Sequence, residues 1–498
     1  MTSHLTLQDW QARAGGLKLS TQAIIDGQAH AGRANPLDAI NPATGRRLAQ
    51  VASCNEHDVD EAVRAARRTF ESGYWSGMPR AERKKRLLKL SELIMLHAEE
   101  LALIETLDMG KPISDTLWYD IPEAARTYAW YGETIDKQYD EIAPTDAQAL
   151  ATITREPLGV VAAVVPWNYP LLMASWKVAP ALAMGNSVIL KPAEQSCLSA
   201  IRLGELALEA GIPPGVLNVV PGTGPVAGQA LGMHPDVDCL AFTGSTATGK
   251  RFMQYSGQSN LKQIWLECGG KSPHIIFDDC PDLDRAALAA AIGIFNNQGE
   301  VCIAGSRLYV QSGVYDEFMQ RMEAHAAAMQ PGDPLDPGSK MGAIVDERQL
   351  ARVLQYVDSG KQEGATLRVG GSRVRTETGG FYVEPTIFEC GSQSLTIVRE
   401  EIFGPVLAAS RFDTEDEALA QANASIYGLG SGLWTADLSR AHRVSRKLRA
   451  GLVWVNCYFD GDVTVPFGGV KQSGFGRDKS LHALDKYSSL KTTWISLA

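Results

Sequence analysis

Cys302 lies in the run GEVCIAGSR (residues 299–307), between glycines that let other groups come close to its side chain. A free thiol ionises at about pH 8.5 and attacks as thiolate, so a nucleophilic cysteine needs activation nearby. A lone cysteine beside a glycine is more often a small buried hydrophobe, and the residues alone leave both readings open. In LECGGKSP (residues 266–273), Glu267 follows the apolar stretch 264–266 and precedes two glycines. A carboxyl in apolar company has a raised pKa, which suits a general base at neutral pH. A satisfied structural glutamate is the competing reading.

Three glycine- or charge-marked turns come earlier in the chain. FTGSTATGKR (residues 242–251) follows an apolar run and reads G-x-x-x-x-G-K, but Arg251 stands where a P-loop needs Ser or Thr to hold Mg²⁺. That speaks against an ATPase or kinase reading, which nucleotide-triphosphate turnover would settle. What survives is a strand-to-helix turn at Gly244 and Ser245 whose backbone N–H groups attract phosphate or pyrophosphate. PGTGPVAG (residues 221–228), containing Gly224, is a second such turn, one residue longer than the dinucleotide fingerprint. ILKPAE (residues 189–194) ends a strand with Lys191 and then Glu194. The pair is either a solvated strand end or a ribose clamp, and a carboxylate there favours NAD over NADP by repelling a 2′-phosphate.

These groups need a scaffold, and the chain is long enough to supply one. It has 498 residues, which at roughly 100–200 per domain suggests two to four domains. Residues 58–72, 80–107 and 121–139 carry helical apolar spacing, so the first 150 residues read as mainly helical. From residue 151, short apolar runs (160–165, 188–190, 217–220, 239–242) alternate with helical windows (175–183, 199–210, 226–231, 249–256). That alternation predicts a parallel, doubly wound α/β sheet. A second α/β unit begins with strand 274–277, helix 284–297 and strand 307–310.

Composition narrows the class. With 47 Lys plus Arg against 57 Asp plus Glu, the net charge is −10, a poor balance for binding nucleic acid. Hydrophobic residues are 45% and charged residues 21%, an ordinary globular mixture. The most apolar stretch, residues 159–190, is interrupted by Asn168, Lys177, Asn186 and prolines, so no membrane segment is expected. The N-terminal MTSHLTLQDWQARAGG has no apolar signal region, and the eight cysteines are scattered without C-x-x-C. A cytoplasmic protein with free thiols and no metal site is expected.

Taken together, the motifs resemble the aldehyde dehydrogenase superfamily. NPATG (41–45), VPWNYP (165–170), KPAE, FTGST, LECGGKSP, GEVCIAGSR, EEIFGPV (400–406) and PFGGVKQSGFGR (466–477) all match, over nearly the whole chain. The resemblance implies an aldehyde dehydrogenase fold: a Rossmann-like NAD-binding domain (1–136 and 160–267), an α/β catalytic domain (268–476) and a small β oligomerisation arm (137–159 and 477–498). It implies NAD as cofactor, a small aldehyde as substrate and a homodimer or homotetramer. By motif, Cys302 would be the nucleophile, Asn168 with the Cys302 backbone N–H the oxyanion hole, and Glu267 the activator of hydrolytic water. Lys191 and Glu194 would hold the adenosine ribose, Gly244 and Ser245 the pyrophosphate turn, and Glu401 the nicotinamide ribose. Phe403 would pack near the nicotinamide, and Trp167 and Gly224 would line the cofactor cleft. Both Cys302 and Glu267 are present, which speaks against a non-enzymatic relative and against acyl transfer to coenzyme A. One departure is Asp478, where the superfamily commonly has Glu after G-F-G-R; one methylene shorter, it is not expected to relay protons with Lys177.

The segments WYDIPEAAR (118–126), NCYFDGDVTVPFGG (456–469) and the C-terminal run 476–497 resemble the γ-glutamyl-γ-aminobutyraldehyde dehydrogenase subgroup. This implies an ω-amino- or guanidino-aldehyde from polyamine or arginine breakdown, with a broad aliphatic or betaine-aldehyde enzyme as the alternative. Asp120, Asp460 and Asp462 would then attract a cationic tail, with Tyr169, Trp176 and Phe467 as aromatic walls. The competing reading is that the aspartates cap turns.

Overall fold

A computed structural model describes residues 5–497. Five apolar runs form its first sheet: Val160–Val164 (β1), Ser187–Lys191 (β2), Leu217–Val219 (β3), Cys239–Thr243 (β4) and Gln263–Glu267 (β5). They lie parallel in the order β3-β2-β1-β4-β5. VVAAV of β1 and SVILK of β2 are buried throughout, as strands covered on both faces must be. Val161, Ala163, Val188 and Leu190 pack on one side with the helices Pro170–Ala183 and Leu198–Glu209. Val160, Ala162, Ile189 and Leu240 pack on the other with Glu56–Glu71 and Thr246–Gln258. The order reverses direction between β1 and β4, and in such sheets the crevice at that point, beyond the carboxyl ends of the strands, is where ligands bind.

The second sheet comprises Pro273–Ile276 (β6), Arg307–Gln311 (β7), Thr366–Val369 (β8), Thr386–Glu389 (β9), Val406–Phe412 (β10), Gly430–Trp434 (β11) and Leu452–Val455 (β12). Its order is β8-β9-β10-β7-β6-β11-β12, antiparallel only at β8. A third, antiparallel sheet joins Glu141–Ala143, Ala149–Pro157 and Ser488–Ser496. Ile142, Leu490 and Trp494 stand exposed on it.

Three features depart from the sequence reading. The early region is not purely helical: Ala23–Ile25 and Gln28–His30 extend the first sheet beyond β3, and Leu37–Asn41 pairs with Arg46–Val51. The first two, of three residues each, are too short to display alternation. The stretch 80–107 is two helices, Arg80–Leu96 and Ala98–Met109, separated at His97, whose ring bonds Glu100 at 2.7 Å. Gly474–Phe475 crosses back to pair antiparallel with β5, which places the C-terminal part of the chain beside Glu267. Among the described residues no helix is long and apolar enough to cross a membrane.

Candidate active site

The carboxyl ends of β1, β2, β4 and β5 open into one cavity of about 960 Å³, whose opposite wall comes from the region of the second sheet. β5 ends at Glu267, β4 leads to Gly244 and Ser245, β2 to Lys191 and Glu194, and β1 to Trp167, Asn168 and Tyr169. Glu401 and Phe403 enter from the other side, together with Cys302.

Cys302 is delivered by an unusual turn. After the helix Leu283–Phe295, Asn297, Gln298 and Gly299 are left-handed in succession (φ 47°, 56° and 70°). Side chains beyond glycine resist that region. At Gly299 a Cβ would also lie 2.3 Å from Gly404 backbone. The turn is held by amides. Asn297 Nδ2 donates to the carbonyls of Asn168 (3.0 Å) and Glu300 (3.3 Å), and Asn168 Nδ2 donates to the Glu300 carbonyl at 2.7 Å. The Glu300 carboxylate accepts the Val345 N–H at 3.1 Å. Gly270 lies against the Cys302 carbonyl so closely that a Cβ there would be 2.4 Å from its oxygen.

Burial pushes the Cys302 thiol up to about 12, and the charges of Glu267 and Glu401 add to the effect. Attack therefore requires a base to remove its proton. Glu267 is buried with neither carboxylate oxygen hydrogen-bonded. Burial, then the negative charge of Asp478, raises it well above the ordinary glutamate value, while Lys177, Lys486 and Arg477 oppose the rise. Lys177 and Lys486 both donate to Asp478, one to each carboxylate oxygen. The shorter Asp478 thus still reaches Lys177.

The residues expected to hold a dinucleotide face the same cavity and offer the matching chemistry. Glu194 accepts the Gly224 N–H through Oε1, and its carboxylate lies 3.8 Å from the Lys191 ammonium. The carboxylate and ammonium form a clamp suited to ribose hydroxyls. Ser245 caps the 13-residue helix Thr246–Gln258 by accepting the Thr248 N–H at 3.3 Å, and the start of that helix faces the cavity, where its dipole favours negative charge. Glu401 accepts the Gly270 N–H at 2.9 Å, and burial raises it to about 7. Trp167 and Phe403 meet edge to face at 5.2 Å.

At the aldehyde end, Tyr169, Trp176 and Phe467 line the cavity, the last two 4.9 Å apart. The three aspartates fare differently. Asp462 is absent from the lining: it caps its own turn by accepting the Thr464 N–H at 2.8 Å, with Arg126 3.8 Å away. Asp460 is also outside the lining and exposed, its backbone carbonyl accepting the Trp454 indole N–H. Asp120 lines the cavity but is buried and paired with Lys111, so its charge is already neutralised. Lys111 also lies 3.4 Å from the centre of the Tyr169 ring.

The acid that remains is Asp115, which lines the cavity and takes one hydrogen bond, from Asn296 at 3.3 Å. Burial raises it to about 6, with Lys111 opposing. Asp115 and Asp120 reach the same cavity across a single π turn, Thr116–Asp120, closed by the Ile121 N–H bonding the Thr116 carbonyl. No apolar periodicity marks this turn in the sequence TLWYD. Tyr119 and Phe459 complete the wall.

The sequence profile of the aldehyde dehydrogenase family matches residues 29–493. The NADP/NAD-dependent aldehyde dehydrogenase PuuC of Escherichia coli is 53% identical over 489 residues, 98% of each chain. The structure of γ-glutamyl-γ-aminobutyraldehyde dehydrogenase from Burkholderia cenocepacia superposes with a TM-score of 0.98 at 56% identity, covering 99% of this chain and all of that one. An indole-3-acetaldehyde dehydrogenase crystallised with NAD⁺ gives the same TM-score at 54% identity and the same coverage. The chain belongs to the aldehyde dehydrogenase family and has its fold.

Proposed function

We propose that the protein oxidises an ω-amino- or guanidino-aldehyde to the carboxylic acid with NAD⁺. The observation that carries this reading is that Cys302, Glu267 and Asn168 share one cavity with the unpaired carboxyl of Asp115. Glu267 takes the thiol proton, and Cys302 Sγ adds to the aldehyde carbon to give a thiohemiacetal. The developing oxyanion lies on the second N–H of the Asn168 amide and the Cys302 backbone N–H, donors fixed before the reaction. Lys191, Glu194, Ser245 and Glu401 would hold NAD⁺, which when bound would accept the hydride that turns the thiohemiacetal into a thioester on Cys302. Once Glu267 has passed the thiol proton to solvent it is again a base: it removes a proton from the water that attacks the Cys302 thioester, the carbon–sulfur bond breaks with the thiolate as leaving group, and the acid leaves. A cationic tail is drawn to Asp115 among Tyr119, Tyr169 and Trp176, whose ring faces also attract cations.

The same reading assigns residues 1–136 and 160–267 to cofactor binding, 268–476 to catalysis and the third sheet to assembly of a homo-oligomer in the cytoplasm. The exposed Ile142, Leu490 and Trp494 support the last role. A second reading rests on the aromatic wall, which suits a flat, uncharged aldehyde of the indole type; a broad aliphatic or betaine-aldehyde enzyme is a further alternative. The test is kcat/KM with NAD⁺ for 4-aminobutyraldehyde, butyraldehyde, betaine aldehyde and indole-3-acetaldehyde. A preference of about tenfold for 4-aminobutyraldehyde over butyraldehyde, equivalent to about 1.4 kcal/mol, is expected. Equal values, or a lead for the indole, would overturn the aminoaldehyde assignment and leave the dehydrogenase chemistry intact.

A further inference from the structure

Lys486 lies outside the cavity lining, in the last turn before the C-terminal strand Ser488–Ser496. Its backbone is fastened beneath the first sheet: its carbonyl accepts the Trp265 indole N–H at 3.2 Å, and the Tyr487 carbonyl accepts Asn186 Nδ2 at 2.9 Å. Trp265 is two residues before Glu267 on β5. The Lys486 ammonium donates to Asp478 Oδ1 while Lys177 donates to Oδ2. Asp478 in turn exchanges both backbone hydrogen bonds with Phe467 of the aldehyde wall, each 2.7 Å. Relative exposures are 1% for Lys177 and Asp478, 3% for Lys486 and 4% for Glu267.

We propose that Lys486 is a positioning residue for the general base, supplying the second ammonium that balances the buried charge when Glu267 is ionised. The proposal rests on the reading of Glu267 as the base. Lys177 and Lys486 carry two positive charges; Asp478 and ionised Glu267 carry two negative ones. With only one lysine the set balances when Glu267 is protonated, the state in which it cannot accept a proton, and an uncompensated buried charge is strongly disfavoured. The other groups acting on Glu267 and Asp478 do not replace it. The Arg477 guanidinium keeps its charge and also favours ionised Glu267, but it is half-buried, donates to the carbonyls of Gly469 (3.0 Å) and Gly476 (2.6 Å), and acts less strongly than either lysine. Tyr131 donates its hydroxyl to the Ser480 carbonyl at 3.1 Å, and Tyr487, Cys268 and Cys302 are neutral as hydroxyl and thiols. In keeping with this, burial opposes the charge on Asp478, yet Lys177 and Lys486 together hold its carboxyl below the ordinary aspartate value.

The test uses the full-length enzyme without cofactor. Nitrophenyl acetate acylates Cys302 with release of nitrophenolate, and decay of the acyl-enzyme then reports Glu267 alone as a function of pH. Lys486→Gln is expected to keep the nitrophenolate burst and to move the acidic limb of the decay about one pH unit higher, a tenfold loss below the limb. Lys486→Arg, which keeps the charge, is expected to restore the wild-type limb. Asp478→Asn, which leaves two ammoniums near Glu267, is expected to move the limb the other way, and it decides the matter if Lys486→Gln does not fold. An unchanged limb in Lys486→Gln, or an unchanged or raised limb in Asp478→Asn, overturns the proposal. Glu267→Gln is run alongside. A burst that is lost or slowed in that variant, with any acyl-enzyme formed persisting, upholds Glu267 as the base, whereas wild-type burst and decay refute that reading whatever Lys486 does.

Discussion

At the adenosine end of the cavity assigned to the cofactor, the groups sit at or just beyond strand termini and helix starts: Lys191 at the end of β2, Glu194 three residues on and bonded to the Gly224 N–H, and the start of the Ser245-capped helix. At the aldehyde end they are side chains carried by irregular structure, with Asp115 before a π turn and Phe459 at φ 68° in a loop. The first kind of wall is fixed by the sheet and tolerates few changes of shape. The second can be rewritten one side chain at a time, which is how one scaffold serves relatives that differ in aldehyde. Between them sits Asn168, bonded to the nucleophile loop.

Substitutions that probe this contrast fall in a clear order. Asn168→Ala, at the junction, is expected to lower kcat by about 10²–10³-fold for every aldehyde, measured as steady-state NADH production; a loss confined to one substrate would place Asn168 at the aldehyde end instead. Glu194→Gln is expected to raise KM for NAD⁺ by about tenfold while improving use of NADP⁺, since a charged hydrogen-bond partner is worth about 1.5–3 kcal/mol and its removal relieves repulsion of a 2′-phosphate. Asp115→Asn is expected to cost about five- to tenfold in kcat/KM for 4-aminobutyraldehyde and almost nothing for butyraldehyde. Asp462→Asn, on a turn outside the cavity, is expected to change either value by less than about twofold. If Asp462 proved the more sensitive of the two, the aldehyde end would have to be redrawn.

Legibility in the sequence followed the same division. The strand-to-helix turns at Ser245 and Glu194 advertise themselves because an apolar run, a small residue and a helix start must occur in fixed succession. The parallel sheet was visible for the same reason: β1 and β2 are buried on both faces, so their residues read as continuous apolar runs. The π turn has no periodic signature, so nothing in the sequence marks Asp115, whereas Asp120, Asp460 and Asp462 stand in the segments that carry the subgroup resemblance. Whether an aspartate is free, paired or capping a turn depends on Lys111 or Thr464 arriving beside it. The pairing of Asp478 with two lysines was hidden too, since Lys177 and Lys486 are remote in sequence and charge balance becomes visible only after folding.

The left-handed run Asn297–Gln298–Gly299 has a bearing on how the enzyme ages. Such a backbone persists only while its surroundings over-determine it, and here those surroundings are the Asn168, Glu300 and Gly404 backbones, drawn from both halves of the molecule. Loosening either half releases the thiol from register before any strand of the first sheet need separate. Under mild urea or heat, NADH production is therefore expected to fall before NAD⁺ binding does, leaving a folded, cofactor-competent protein whose Cys302 thiol has left its place.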